Sequence, residues 1–252
     1  MKCFTHAATL ICLAAATSAY AQVGSINSAK VTPRVFNDIP GAALTVNNSY
    51  PTTISFDEQR VSQTGGFANR DVWQFSNNGG ASPYQFNNND FFQATMTLTL
   101  TGTPLSPRKE AGFLLNTIGG DGQFIVNTDA HEVVAFGGPL PFYAFPATYD
   151  SGETITLGLT YFLDGNGKRA IIYTADGVSS PAQEFSNLEQ GIIDSSTLGG
   201  YFQIVNDANN PNNGGTAVFG NIGIPEPATI ATNILVVLGA GLGVWRHRGR
   251  KV

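Results

Sequence analysis

The chain has 252 residues, a formal net charge of −5 and a mean hydropathy of −0.01, with 42% hydrophobic and only 12% charged residues. Both cysteines, Cys3 and Cys12, fall within the first 21 residues, so no disulfide can staple the rest, and 203 residues from 22 to 224 must supply one large core instead. That span carries eight basic side chains against 17 acidic ones, hence −9, a balance that repels phosphate backbones and argues against nucleic acid as a partner.

In chain order, Lys2 precedes an apolar run from Ala7 to Ala16 and the small-residue stretch Thr17-Ser18-Ala19-Tyr20-Ala21. This pattern predicts a secretory signal peptide over residues 1–21, with Ala19 and Ala21 filling the shallow pockets of a signal peptidase and cleavage before Gln22. Lipidation would need a small residue before the cysteine, whereas Ile11 precedes Cys12 and Lys2 precedes Cys3.

The middle reads as strands. From Phe92 to Thr101, Phe92, Ala94, Met96, Leu98 and Leu100 alternate with Gln93 and four threonines, the period of a half-buried strand. Residues 153–162 repeat the pattern with Ile155, Leu157, Leu159 and Tyr161 inward. Asp164-Gly165-Asn166-Gly167 then supplies the positive φ angles of a hairpin turn before the run Ala170 to Thr174. Shorter runs at 54–57, 72–75, 112–116, 123–127, 132–136, 200–205 and 217–220 are separated by Gly/Asn clusters, and a helical turn is expected around 188–193. The expectation is one all-β domain over 22–224, a two-layer antiparallel sandwich, with immunoglobulin-like and other sandwich topologies open. The succession of a long Thr-rich strand, a Gly-Phe-Leu-Leu strand, a Gly-Gln-Phe-Ile-Val strand and the Asp164 hairpin resembles the concanavalin-like or laminin-G-like fold over roughly residues 70 to 220, which implies an antiparallel jelly-roll β-sandwich.

At the far end, Pro225-Glu226-Pro227 precedes an apolar run from Ala228 to Trp245 and a basic close with Arg246, Arg248, Arg250 and Lys251. The run would form roughly 27 Å of helix, enough to span the hydrocarbon core as one transmembrane helix, and the positive cluster at 246–252 favours a cytoplasmic end. The three features in this order resemble the PEP-CTERM sorting signal of Gram-negative bacteria, with tail 225–252. The resemblance implies processing by an exosortase, anchoring at the inner membrane with the domain outside, later release to the cell surface or medium, and an association with exopolysaccharide and biofilm. A plain C-terminal anchor is the alternative.

Chemistry is sparse. His131 is the single histidine between 22 and 224, no G-x-S-x-G elbow or E-x-D-x-x-E pattern occurs, and Lys168 interrupts the calcium-loop spacing begun by Asp164 and Asn166. No catalytic residue, metal or cofactor is assigned. Trp73, Tyr84, Phe86 and Tyr143 are the candidate sugar-stacking aromatics. The function expected is therefore a non-enzymatic, polysaccharide-associated surface protein, the alternatives being a secreted carbohydrate-active enzyme or a structural spacer. Replacing Pro225-Glu226-Pro227 by alanines should abolish processing of the tail, read by cell fractionation and the mass of the product. Unchanged processing and anchoring would reduce the tail to a plain membrane helix.

Overall fold

A computed structural model describes residues 26–185 and 193–224. The signal segment, nearly all of the helical turn expected at 188–193, and the whole tail from 225 lie outside the described residues. Among the described residues no helix is long and apolar enough to cross a membrane.

Fifteen strands follow in chain order: β1 (Ser28–Thr32), β2 (Ala43–Ser49), β3 (Thr53–Gln59), β4 (Ala68–Ser76), β5 (Phe92–Thr103), β6 (Lys109–Thr117), β7 (Gly120–Asn127), β8 (Glu132–Phe136), β9 (Tyr143–Thr148), β10 (Thr154–Leu163), β11 (Arg169–Ala175), β12 (Val178–Ser179), β13 (Gln183–Glu184), β14 (Thr197–Val205) and β15 (Gly214–Gly223). They form two antiparallel sheets. One is seven-stranded in the order β1-β4-β14-β6-β7-β8-β9, and the other is eight-stranded in the order β12-β11-β10-β5-β15-β3-β2, with β13 also paired to β11. The result is a β-sandwich consistent with a jelly roll.

Alternation decides what the sandwich encloses. On β5, Ala94, Met96, Leu98 and Leu100 are buried while the threonines between them are not, and β10 buries Ile155, Leu157, Leu159 and Tyr161 beside them. The β10–β11 hairpin closes where the turn residues predict. The Asp164 carboxylate accepts the backbone N–H groups of Asn166 and Lys168 at 2.9 and 2.8 Å, and Gly167 takes a φ of 74°. From the seven-stranded sheet, Trp73, Phe75, Phe113, Leu115, Phe124, Val126 and Phe202 point into the same core. Lys109 also points inward, fully buried, and its ammonium donates to the carbonyls of Pro104 and Pro107 at 2.6 and 2.7 Å. Burial pushes its pKa down to about 8.

The strands that the apolar patterns do not mark, β1, β2, β9, β12 and β13, all lie at the margins of the sheets. A marginal strand buries little, so its residues need not alternate: β2 carries Asn47 and Asn48 in its middle, and β9 contains Pro146.

The Trp73 indole lies against the backbone of β14. A Cβ on Gly200 would sit 2.5 Å from its Nε1, and the ring meets Phe75 and Phe219 edge-on with centroids 5.2 and 5.8 Å away. Gly200→Ala should therefore destabilise the fold by about 1–3 kcal/mol through overpacking, as measured by denaturant unfolding. Gly165→Ala, at a turn position where a Cβ meets nothing within 4 Å, serves as the neutral comparison.

Candidate functional site

The seven-stranded sheet buries side chains on its outer face too. Val72, Leu114, Ile125, Val134 and Tyr201 form a second apolar cluster there, with Phe136 against it. They occupy the positions of β4, β6, β7, β8 and β14 that alternate with the core residues, and the register sets Val72, Tyr201, Gly112, Ile125 and Val134 in one row across five strands.

The adjacent row is polar. Arg70, Gln203 and Glu110 lie directly opposite one another on β4, β14 and β6. Arg70 Nε donates to Gln203 Oε1 at 2.9 Å, and Gln203 Nε2 donates to Glu110 Oε1 at 2.9 Å. Glu110 and Gln203 are 6% and 5% exposed, a degree of burial that polar groups accept only when bonded. Arg108 approaches Glu110 at 3.8 Å and bonds Asp129 at 2.9 Å.

Beneath Arg70 lies Tyr201. The guanidinium sits 5.6 Å from its ring centroid and 5.5 Å from that of Phe36. Tyr201 is wholly buried and its hydroxyl has no formed hydrogen bond, although the Glu110 carboxylate is near enough to act on it. Burial first, and Glu110 second, hold the phenol far above its ordinary pKa, so it stays protonated. Burial likewise raises the Glu110 pKa, opposed by Tyr201 and the two arginines.

The face is a trough. Asp121 lies three strands away from Arg70 and six residues along β7 from Asn127, which shares the Arg70 row, a separation of roughly 14 by 20 Å on a flat sheet. Yet Arg70 Nη1 meets Asp121 Oδ2 at 3.2 Å, so the sheet curls and its diagonal corners approach. Phe36, 52% exposed, lies beside Arg70 at the rim, and Phe67, 59% exposed, packs edge to face against Phe36.

The aromatics read from the sequence as sugar contacts are placed differently. Trp73 and Phe86 are fully buried in the core and have no surface to offer a ligand, and Tyr84 and Tyr143 are partly buried against it. Packing between the sheets accounts for their positions. His131 takes a φ of 57° after β7, with Nδ1 3.0 Å from Asp150 Oδ1 and 3.1 Å from the Tyr149 carbonyl. Pro225, Glu226, Pro227 and the terminal arginines, like Ala19 and Ala21, lie outside the described residues. Among the described residues no three His, Cys, Asp or Glu side chains group as a metal site.

The trough escaped the sequence reading because each strand contributes one or two residues, without local spacing. Its one visible signal is the appearance of Tyr201 and Gln203 between apolar residues of β14, which marks a strand with two differently occupied faces.

A second buried ionic group lies on the inner side of β4. Asp71 and Glu58 are both fully buried; Arg34 donates its backbone N–H to Asp71 Oδ1 at 2.9 Å and its Nε to Glu58 Oε1 at 3.0 Å, and Asn69 bonds Glu58 at 3.2 Å. Asp71 Oδ2 has no partner, and burial, then repulsion from Glu58, push this carboxyl up to about 7.

No known family profile and no curated protein matches this sequence. Among solved structures, an alginate lyase from Corynebacterium sp. superposes with a TM-score of 0.50 at 12% identity, covering 81% of this chain and 96% of that one. Alginate lyase AlgAT5 of polysaccharide lyase family 7 does so with a TM-score of 0.50 at 11% identity and the same coverages. At that identity the likeness establishes the fold alone, a concanavalin-like jelly-roll sandwich. It nonetheless overturns the expectation of a non-enzymatic protein, which rested on finding no triad, no zinc set and no carboxylate pair. This is a fold on which polysaccharide lyases are built, and a site assembled across a sheet face needs none of those signatures.

The Asp71 carboxyl offers a test of the inner ionic group. Its folded pKa lies above the ordinary 3.8, so the folded state keeps a proton that the unfolded chain has released; this stabilisation is complete below about pH 4 and is lost as pH rises through about 7. Stability should therefore fall between about pH 4 and 7 by at most roughly 4 kcal/mol on this account. Asp71→Asn should flatten that fall, as measured by thermal unfolding at several pH values.

Proposed function

We propose that the protein is an exported carbohydrate-active enzyme that binds an acidic polysaccharide in the outer trough of the seven-stranded sheet and cleaves it by elimination. The observation that carries this reading is Arg70, a partly exposed guanidinium that lies over the Tyr201 ring and is held by Gln203, which also bonds Glu110.

The chemistry follows from the residues. In a polyuronate the C5 proton is acidified by the adjacent carboxylate, and a guanidinium on that carboxylate stabilises the charge that develops when the proton leaves. Glu110, made more basic by burial, accepts the C5 proton. The C5–H electrons form the C4–C5 double bond as the C4–O bond breaks, and the departing glycosidic oxygen takes a proton from solvent, to which Glu110 later returns the C5 proton; Tyr201, buried beneath Arg70, supports the guanidinium instead of touching the sugar. One chain end becomes an unsaturated uronate and the other a free hydroxyl, so no water is consumed. Phe36 and Phe67 supply apolar ring faces at the rim on which a pyranose can stack. Alginate, the polymer named for both similar structures, is the first substrate to try.

Export through residues 1–21 by signal peptidase, and sorting through 225–252 by an exosortase at the inner membrane of a Gram-negative cell, complete the proposal. They would put the enzyme where acidic exopolysaccharide is made.

Incubation with alginate and other polyuronates should generate the ultraviolet absorbance of unsaturated uronate. Arg70→Ala should lower kcat/KM on the order of 10²–10³-fold, and Glu110→Gln about 10²–10⁴-fold, with the fold intact by circular dichroism. Absence of both product and binding across polyuronates would sink the reading.

A further inference from the structure

Asp121 stands where a ligand's carboxylate would have to stand. It caps the open side of Arg70 from the far corner of the trough, with Oδ2 3.2 Å from Nη1, while the opposite side of the guanidinium is engaged through Nε by Gln203. We infer that Asp121 is a built-in competitor for Arg70, a carboxylate of the protein's own that occupies the anion position and yields it only to a ligand bearing a carboxylate or comparable anion. This rests on the reading of the trough as a carbohydrate site, and it concerns what that site must release before it can bind.

Four features make the contact exchangeable. Both partners are partly exposed, the Arg70 side chain at 21% and Asp121 at 33%, and ion pairs so placed are weak, so an incoming anion can replace one carboxylate with another at little cost. Asp121 keeps a second partner after release, because Asn116 Nδ2 donates to its Oδ1 at 2.6 Å. Arg70 is not set loose either: Gln203 retains its Nε, and the Phe36 and Tyr201 rings lie within 5.6 Å of its guanidinium carbon.

The Asp121 backbone, finally, is fixed by close packing. A Cβ on Gly137 would sit 2.8 Å from the Asp121 carbonyl oxygen, and one on Gly138 2.8 Å from its carbonyl carbon. Opening is therefore a rotation of the Asp121 side chain within a fixed hairpin. A neutral sugar, unable to offer Arg70 a replacement charge, leaves the pair closed and is refused. Asp121 thus acts as a specificity-determining residue, and the selection it imposes is for charge.

The test is Asp121→Asn in the full chain, which keeps the size of the side chain and removes the charge. In the absence of sugar, labelling of Arg70 by phenylglyoxal, located by mass spectrometry, should accelerate about fivefold, and the affinity for a uronate oligosaccharide should rise by a similar factor. Discrimination against a neutral oligosaccharide of the same length should shrink. Unchanged Arg70 labelling overturns the inference, as does equal uronate affinity in the two proteins. Faster labelling without uronate binding in either protein leaves Asp121 as the mask of Arg70 and removes the carbohydrate reading instead. In the unaltered protein, raising sodium chloride should speed Arg70 labelling in the same direction, a measurement that does not depend on the folding of a variant.

Discussion

The seven-stranded sheet has to hide two faces, and much of the molecule follows from that constraint. Its inner face packs Trp73, Phe113, Phe124 and Phe202 against the second sheet. Its outer face has no third layer among the described residues, yet Tyr201 and Ile125 there are as inaccessible as the core. Arg70 lies over Tyr201 on that face, and its contact with Asp121 reaches across three strands as the sheet curls. A concave, partly polar surface with a buried phenol is thus a by-product of burying two faces with one sheet.

The acidic composition acquires a local meaning in that setting. Much of the negative charge is dispersed over exposed turns, but Glu58, Asp71 and Glu110 are buried, each with an arginine in contact or close by. β4 carries two of these arrangements at once: Arg70 faces the trough, and its neighbour Asp71 faces the interior. Adjacent residues on a strand point to opposite faces, so one dipeptide serves the surface chemistry and the interior ionic group together. A substitution that shifted the β4 register by one residue would exchange these roles and bury a guanidinium in the core.

Much of the fold was legible from period-two patterns because half-buried strands must alternate. β5, β10 and β11 are found where alternation and the Asp164 turn put them. The marginal strands β1, β2 and β9 were not, since a strand with one paired edge and little burial places few demands on its residues. The site was less legible still. Trp73 and Phe86 attracted attention as aromatics near polar loops, but large rings are also what a two-layer core requires. Arg70, Glu110, Asp121 and Gln203 gave no signal because they come from four strands that adjoin only through the strand order β4-β14-β6-β7.

The amino-acid sequence by itself determined the cysteine-free, acidic, strand-rich character of the domain, its principal hairpin and the layered sandwich, because local sterics and the alternation of apolar side chains act between near neighbours. Only the tertiary structure decided which polar residues meet, which aromatics are core and which are rim, and that one sheet face closes over a protonated tyrosine. Those outcomes depend on strand order and sheet curvature, and both are set by contacts between residues as far apart in the chain as Arg70 and Gln203.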